Sequence, residues 1–103
     1  MATEPNTVDP GHVGEVIRLD FLEPGGVKPA ELAKAAGVNR GVLSGILSGK
    51  RRLRAEVGVR IAEAFGMSPG YFLKVQAGLD RIRAQQKIRA SGSTAITRIE
   101  LAA

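Results

Sequence analysis

The chain has no cysteine, no tryptophan and a single histidine, His12. Without cysteine there is no disulfide, no thiolate nucleophile and no cysteine metal ligand, and one histidine cannot build a multi-histidine metal site. His12 also has no nucleophile or carboxylate at a recognisable spacing, so we assign it a capping or packing role. We therefore predict a protein that is not an enzyme and that uses no metal and no cofactor.

Long apolar runs are absent as well. No stretch of the sequence approaches the roughly 20 apolar residues that a membrane-spanning helix needs. Residues 1–12 lack both the basic start and the apolar core of a signal peptide. The expected location is therefore the cytoplasm, without contact with a membrane.

What the chain does have is one domain's length of residues and an excess of positive charge. It contains 103 residues, with 15 Lys and Arg against 10 Asp and Glu, for a formal net charge of +5. This length can bury one core, and the charge favours an anionic partner, nucleic acid before acidic small molecules. We interpret residues 1–11 as a flexible arm, residues 12–90 as the domain and residues 91–103 as a tail.

The spacing of apolar residues predicts an all-α fold with five helices. They are expected over residues 14–22, 28–36, 40–48, 55–65 and from Pro69 to about residue 90. Pro24 and the two glycines after it should end the first helix, while Asn39 should cap the third and Ser68 the fifth. Residues 94–101 (TAITRIEL) are rich in Thr and Ile, which is compatible with a short strand whose partner the sequence does not identify.

The second and third predicted helices, joined by a tight Gly-Val-Asn turn and followed by a basic segment, form the outline of a helix-turn-helix. Residues 29–50 (PAELAKAAGVNRGVLSGILSGK) resemble the lambda-repressor-like helix-turn-helix family. In this resemblance Ala33 occupies the small position, Gly37 the turn, and Leu43 and Ile46 the underside of the recognition helix. The resemblance implies a five-helix DNA-binding domain.

The flanking segments narrow the resemblance to HigA antitoxins, also called VapI-like proteins. His12, Gly14 and Glu15, with FLEP at residues 21–24, are similar to the HPGE and FLEP elements of that family. Further on, SGKR resembles its NGKR, RIAEAF its RLAxAF and SPGYFLKVQ its SPEFWLNLQ. These elements occur in order over residues 12–83, and it is their order that makes the resemblance specific.

The resemblance implies an antitoxin of a type II toxin–antitoxin system. Members of the family neutralise a small ribonuclease toxin of the HigB/RelE type, and the antitoxin or the complex represses its own operon. For this chain the expected partners are double-stranded operator DNA, such a toxin and a second copy in a homodimer. Two alternatives stay open: a stand-alone repressor, and a toxin-binding module with little DNA specificity.

The predicted base-reading residues are Arg40, Gly41 and Ser44, on the polar face of the third helix. Arg40 can pair bidentately with guanine, and the Ser44 hydroxyl tolerates several bases. Gly41 and Gly45 leave this face bare at a cost in helix stability. Either they allow the helix backbone to approach DNA closely, or the DNA role of the helix has weakened; the sequence favours neither.

The predicted phosphate contacts are cations and one amide around the same helix. Residues 40–60 contain six cations and one anion, Glu56. Because phosphate contacts supply most non-specific DNA affinity, the candidates are Lys28, Asn39, Lys50, Arg51, Arg52 and Arg54. The apolar stripe of Phe72, Val75, Leu79 and Ile82 is interpreted either as core or as a seam between subunits.

Overall fold

The computed structural model describes residues 9–92 and 96–102 of the chain. Across these ranges it contains five helices and no strand, as the all-α prediction required. The first helix, α1, consists of three consecutive parts, α-helical Val13–Val16, π-helical Ile17–Leu22 and α-helical Glu23–Gly25. The others are α2 (Pro29–Ala36), α3 (Arg40–Leu47), α4 (Ala55–Ala64) and α5 (Tyr71–Ser91).

The predicted bound of the first helix at Leu22 is wrong, because the helix continues through Pro24 to Gly25, but it does end within the Pro-Gly-Gly segment expected to stop it. The turn before the proline is π-helical, and the N–H of Glu23 donates to the carbonyl of Arg18, five residues back. Because the backbone hydrogen bonds here already depart from the α-helical pattern, the missing N–H of Pro24 interrupts no continuous series of α-helical hydrogen bonds. The helix ends where Gly26 adopts a left-handed conformation with φ +65°.

The predicted start of the fifth helix at Pro69 is also wrong. The chain makes a turn there, closed by a bond of 3.0 Å from the Tyr71 N–H to the Ser68 carbonyl, and α5 begins at Tyr71. Gly70, at φ −90° and ψ 4°, is the residue that precedes the helix, so Ser68 is not its cap. A turn that closes through backbone groups leaves the Ser68 hydroxyl without the N-cap role.

The short C-terminal strand is not present either, since residues 96–102 have no regular secondary structure. Ile96, Ile99 and Leu101 are 75%, 79% and 87% exposed. An isolated strand is not stable without a partner, and the described part of the chain offers only helices. Residues 94 and 95 lie outside the described residues.

The core gathers apolar side chains from all five helices. It contains Val13, Ile17, Leu22, Leu32, Ala33, Ala36, Val38, Leu43, Ile46, Leu53, Ile61, Ala62 and Phe72. Phe72 is wholly buried and packs edge-on against Phe21, with ring centroids 5.0 Å apart. This ring contact fixes the first turn of α5 against α1. Within residues 9–92 and 96–102, none of the helices combines the length and the hydropathy of a membrane span.

The close packing of α1 on α3 depends on Gly14. A Cβ at this position would lie 1.9 Å from the backbone carbonyl oxygen of Ile46. Any side chain there would therefore push the two helices apart. This contact presses α1 on the inner side of α3 and leaves the opposite face of α3 uncovered.

Candidate nucleic-acid interface

The turn between α2 and α3 is held by its own backbone and by one side chain. Gly37 has φ +68°, which allows the Val38 N–H to donate to the Ala33 carbonyl at 2.9 Å. Asn39 Oδ1 accepts from the N–H groups of Gly41 and Val42 at 2.8 and 3.1 Å. The predicted N-cap is thus confirmed, and a contact from Asn39 to phosphate would have to use its amide nitrogen.

The two faces of α3 differ as predicted. Leu43 and Ile46 are each 1% exposed on the inner face. The outer face exposes Arg40, Gly41, Ser44 and Ser48. The outer face of α3 therefore consists of small and polar groups. A recognition helix needs such a face to approach base edges in a major groove.

An open groove of about 420 Å³ runs beside this outer face. Its walls bring Arg40 and Ser44 together with Arg18 of α1 and Pro29 of α2. Sequence reasoning missed Arg18, because nothing in the helix-turn-helix segment points to a residue of the preceding helix. The Arg18 guanidinium lies 3.4 Å from the Glu23 carboxylate, so its charge is partly compensated.

The segment after α3, residues 50–54, is named here the basic loop. At its start, the N–H groups of Lys50 and Arg51 both donate to the carbonyl of Gly45, at 2.9 and 3.0 Å. At its end, Leu53 is 2% exposed and serves as an apolar anchor. The loop is therefore folded back on the recognition helix at one end and buried in the core at the other.

Helix α5 holds the basic loop through Gln76. The side-chain amide of Gln76 accepts from the N–H of Leu53 and donates to the carbonyl of Leu53, both at 2.9 Å. This pair of bonds satisfies both backbone groups of a nearly buried residue, as buried polar groups require. Sequence reasoning missed the contact, although Gln76 is the last residue of the SPGYFLKVQ segment used for the family resemblance.

One cation of the basic loop is also tied to α5. Arg52 donates to the Asp80 carboxylate at 2.8 Å. This hydrogen bond, aided by the charges of Arg52 and Arg83, lowers the pKa of Asp80 against an opposing effect of burial. Arg52 thus has a partner within the protein, which its assignment as a phosphate contact did not foresee.

The other predicted DNA-contacting cations have free side chains. Over residues 9–92 and 96–102, no hydrogen bond or ion pair engages the side chains of Lys28, Arg40, Lys50, Arg51 or Arg54. The N–H of Lys28 is bonded to the Glu31 carboxylate at 2.8 Å, but this is a backbone contact at the start of α2. Arg60, by contrast, is engaged by Glu56 at 3.1 Å and by the Ala36 carbonyl at 3.3 Å.

His12 has the capping and packing position expected for it. It is the residue before α1, and its N–H donates to the Glu15 carboxylate at 3.3 Å. Its ring lies against Gly49, where a Cβ would come within 2.7 Å of His12 Nε2. No group of three or more candidate metal ligands occurs in the described parts of the chain.

The segment before His12 is also in contact with α5. Arg83 donates to the Gly11 carbonyl and lies 3.5 Å from Asp9. The pKa of Asp9 is lowered, first by the hydrogen bond from the Gly11 N–H and further by Arg83. Residues 9–11 thus have contacts with the domain, although they belong to the predicted arm.

Comparison with known proteins finds similarity to helix-turn-helix proteins, including an antitoxin. A family model described as helix-turn-helix matches residues 20–72. Antitoxin HigA-1 of Vibrio cholerae is 38% identical over 71 residues, which cover 69% of this chain and 67% of the relative.

Solved structures agree with this similarity. A protein described as an addiction module antidote of a HigA family from Coxiella burnetii superposes with a TM-score of 0.75 at 25% identity, covering 89% of this chain and 100% of that one. The antitoxin HigA of Pseudomonas aeruginosa, solved with the higBA promoter, has a TM-score of 0.67 at 25% identity, with 84% and 96% of the two chains covered.

Proposed function

The chain belongs to the helix-turn-helix family, in its group of HigA antitoxins, and from this premise we propose that it is an antitoxin that binds operator DNA and represses its own operon. The observation that carries the DNA-binding half of the proposal is the exposed outer face of α3, which includes Arg40 and is followed by the basic loop. Within the described residues, the side chains of Arg40, Lys50, Arg51 and Arg54 have no hydrogen bond or ion pair. A cationic rim around a bare helix face suits a phosphate backbone and the groove between its strands. The similarity to the Pseudomonas aeruginosa antitoxin HigA, which was solved with the higBA promoter, supports the proposal of DNA binding.

We assign base reading to the outer face of α3 and phosphate binding to its surroundings. Arg40 and Ser44 line the groove beside α3, where a guanidinium and a hydroxyl can reach base edges, and Gly41 is exposed on the same helix. Lys50, Arg51 and Arg54 of the basic loop, with Lys28 at the start of α2, supply the phosphate contacts. Asn39 and Arg52 make smaller contributions, because each is already bonded within the protein.

The proposal includes two protein partners. A second copy of the chain would place two recognition helices in successive major grooves, about 34–36 Å apart. A ribonuclease toxin of the HigB/RelE type is the second partner, supported by the similarity to an antitoxin of Vibrio cholerae. We place these complexes in the cytoplasm and assign the chain no enzymatic activity of its own.

The test of the DNA-binding half is fluorescence anisotropy with two labelled duplexes. One carries the DNA upstream of the gene, and the other a scrambled sequence of the same length and composition, each titrated across a range of salt. The expected result is tighter binding to the upstream duplex that persists near physiological salt. Equal binding to both duplexes, lost steeply as salt rises, would instead support a toxin-binding module with little DNA specificity.

The test of the toxin half is co-expression with a small basic ribonuclease encoded beside the gene. An antitoxin restores growth of cells that express the ribonuclease and co-purifies with it. A chain that binds its upstream DNA and leaves the ribonuclease active would be a stand-alone repressor.

A further inference from the structure

We infer that Arg51 of the basic loop reads a base across the position of Gly45, where α3 itself has no side chain. The inference rests on the proposed DNA binding and makes it more specific. It moves Arg51 from the phosphate contacts to the residues that determine operator choice. It also gives Gly45 a role that sequence reasoning did not consider.

The Arg51 side chain lies directly beside Gly45 of α3. A Cβ built on Gly45 would lie 2.8 Å from both Cγ and Cδ of Arg51 and 3.2 Å from its Nε. Real Cβ atoms essentially never come so close to other heavy atoms. The aliphatic part of Arg51 therefore occupies the space that any larger residue at position 45 would fill.

The backbone fixes this arrangement at its root. The Arg51 N–H donates to the carbonyl of Gly45 at 3.0 Å, so the side chain starts directly beside the glycine that it crosses. The next residue is directed elsewhere, since Arg52 is bonded to Asp80 on α5. Two consecutive arginines thus make different contacts: the stem of Arg51 lies against Gly45 of the recognition helix, and the guanidinium of Arg52 is bonded to Asp80 on α5.

Gly41, one turn earlier on the same face, provides an internal comparison. A Cβ at Gly41 would meet only Asn39 Oδ1, at 3.1 Å, and no side chain crosses that glycine. The space above Gly45 is therefore filled by a side chain of the basic loop, whereas the neighbour above Gly41 among the described residues is the capping side chain of Asn39. A bare helix face alone does not account for this difference.

The chemistry of Arg51 suits base recognition. Its guanidinium makes no hydrogen bond or ion pair with the described residues, so its donors are available. A guanidinium presents paired donors in a rigid plane, which match O6 and N7 of guanine. A stem already laid along the helix has less rotational freedom to lose on binding than an extended surface arginine.

The experiment is a double-mutant cycle on the upstream and scrambled duplexes, with Gly45→Ala, Arg51→Ala and both together. Arg51→Ala should weaken binding to the upstream duplex by about 10- to 100-fold, the range for loss of one bidentate base contact. Gly45→Ala, which displaces Arg51 and keeps its charge, should cause much of the same loss. In the Arg51→Ala background, Gly45→Ala should cause almost no further loss, because the two changes act on one contact.

Two further variants complete the design. Arg51→Lys keeps the charge and removes the planar pair of donors, so binding to scrambled DNA should stay within about twofold while the preference for the upstream duplex falls about tenfold. Gly78→Ala on α5 is the matched control, a helical glycine with open space around its missing Cβ. Gly78→Ala should leave the affinity for both duplexes unchanged. Thermal unfolding of each variant checks that it is folded.

The outcomes separate the inference from the function it rests on. Equal losses on both duplexes for Arg51→Ala, with full rescue by Arg51→Lys, would return Arg51 to a phosphate contact. A loss from Gly45→Ala that persists without Arg51 would mean that the α3 backbone itself approaches DNA at this point. Wild-type protein that binds both duplexes equally would overturn the operator-binding proposal and this inference together.

Discussion

The basic loop and α5 both carry several cations, yet they engage them differently. In α5, Arg81 donates to Gln85 at 2.8 Å, and Arg83 contacts Asp80, Asp9 and the Gly11 carbonyl. In the basic loop, Arg52 alone has a partner within the described residues, and that partner belongs to α5. By their charges alone, the two segments look alike. The side-chain contacts distinguish them: most cations of the basic loop are available to an external anion, whereas the arginines of α5 are largely engaged in contacts within the protein.

The difference between the two segments affects which cations are available to DNA more than it affects the stability of the fold. Exposed ion pairs contribute about 0–1 kcal/mol each, so the pairs on α5 add little to the free energy of unfolding. Their main effect is to hold the paired side chains in fixed directions. Arg52 shows this most clearly, because its bond to Asp80 takes one of four loop cations away from the recognition side.

The largest effect is expected from reversing two free loop charges. Lys50→Glu with Arg54→Glu should reduce DNA affinity more than about 100-fold near physiological salt. It should also make the negative slope of log affinity against log salt shallower by about 2, since two phosphate contacts are lost. The control is Lys74→Glu with Lys87→Glu on α5, which changes the net charge equally. We expect that pair to cost less than about tenfold, as a long-range effect only. Similar losses from both pairs would mean that net charge, not the loop, sets affinity.

The next effect is on stability, through the contact that joins the two regions. Gln76→Ala leaves the N–H and carbonyl of the nearly buried Leu53 without their partners. We expect the free energy of unfolding to fall by about 1–3 kcal/mol, measured by urea denaturation, with weaker DNA binding because the loop loses its support. Gln85→Ala, on the exposed part of the same helix, should change stability by less than about 0.5 kcal/mol. If Gln76→Ala changed neither the stability nor the DNA affinity, Leu53 would anchor the loop by apolar packing alone.

A smaller effect should appear when Arg52 is released. Asp80→Asn weakens the hold on the Arg52 guanidinium and makes it available to phosphate, so affinity for scrambled DNA should rise about two- to fivefold. Asp20→Asn changes the net charge equally at an exposed position on α1 and is the control for a general electrostatic gain. If Asp80→Asn weakens binding instead, Asp80 positions the loop for DNA, and the pairing of Arg52 serves the interface.

The helix-turn-helix could be predicted from sequence because its signals are local. Pro29, Gly37 and Asn39 mark the ends of α2 and the start of α3, and apolar spacing identifies the inner face. The contacts that sort the cations are not local. Gln76 is 23 residues from Leu53, and Asp80 is 28 residues from Arg52. Such pairs have no spacing signal, so the sequence indicated a basic loop without indicating which of its side chains are free.

The errors in secondary structure have the same origin. The composition of residues 94–101 favours a strand, but a strand forms only against a partner, and composition carries no information about one. Pro24 is a correct local signal against an α-helix, but the π-helical turn before it changes the bonding that the proline would disrupt. The position of Arg51 over Gly45 likewise follows from how the loop folds back on α3, which neither residue reveals separately.

The smallest effect concerns the pH dependence of the bond between the two regions. Because Arg52 lowers the pKa of Asp80 in the folded chain, this carboxylate stabilises the fold above its unfolded pKa of about 3.9, and the contribution is lost as pH falls through the lower folded value. The stability of the wild type should therefore exceed that of Asp80→Asn by a constant amount, below about 1 kcal/mol for so exposed a pair, from pH 5 to 8. The gap should close below about pH 4, as followed by denaturation midpoints. In an Arg52→Ala background the gap should shrink at every pH, whereas a gap that widens in acid would mean that burial, not Arg52, controls the titration of Asp80.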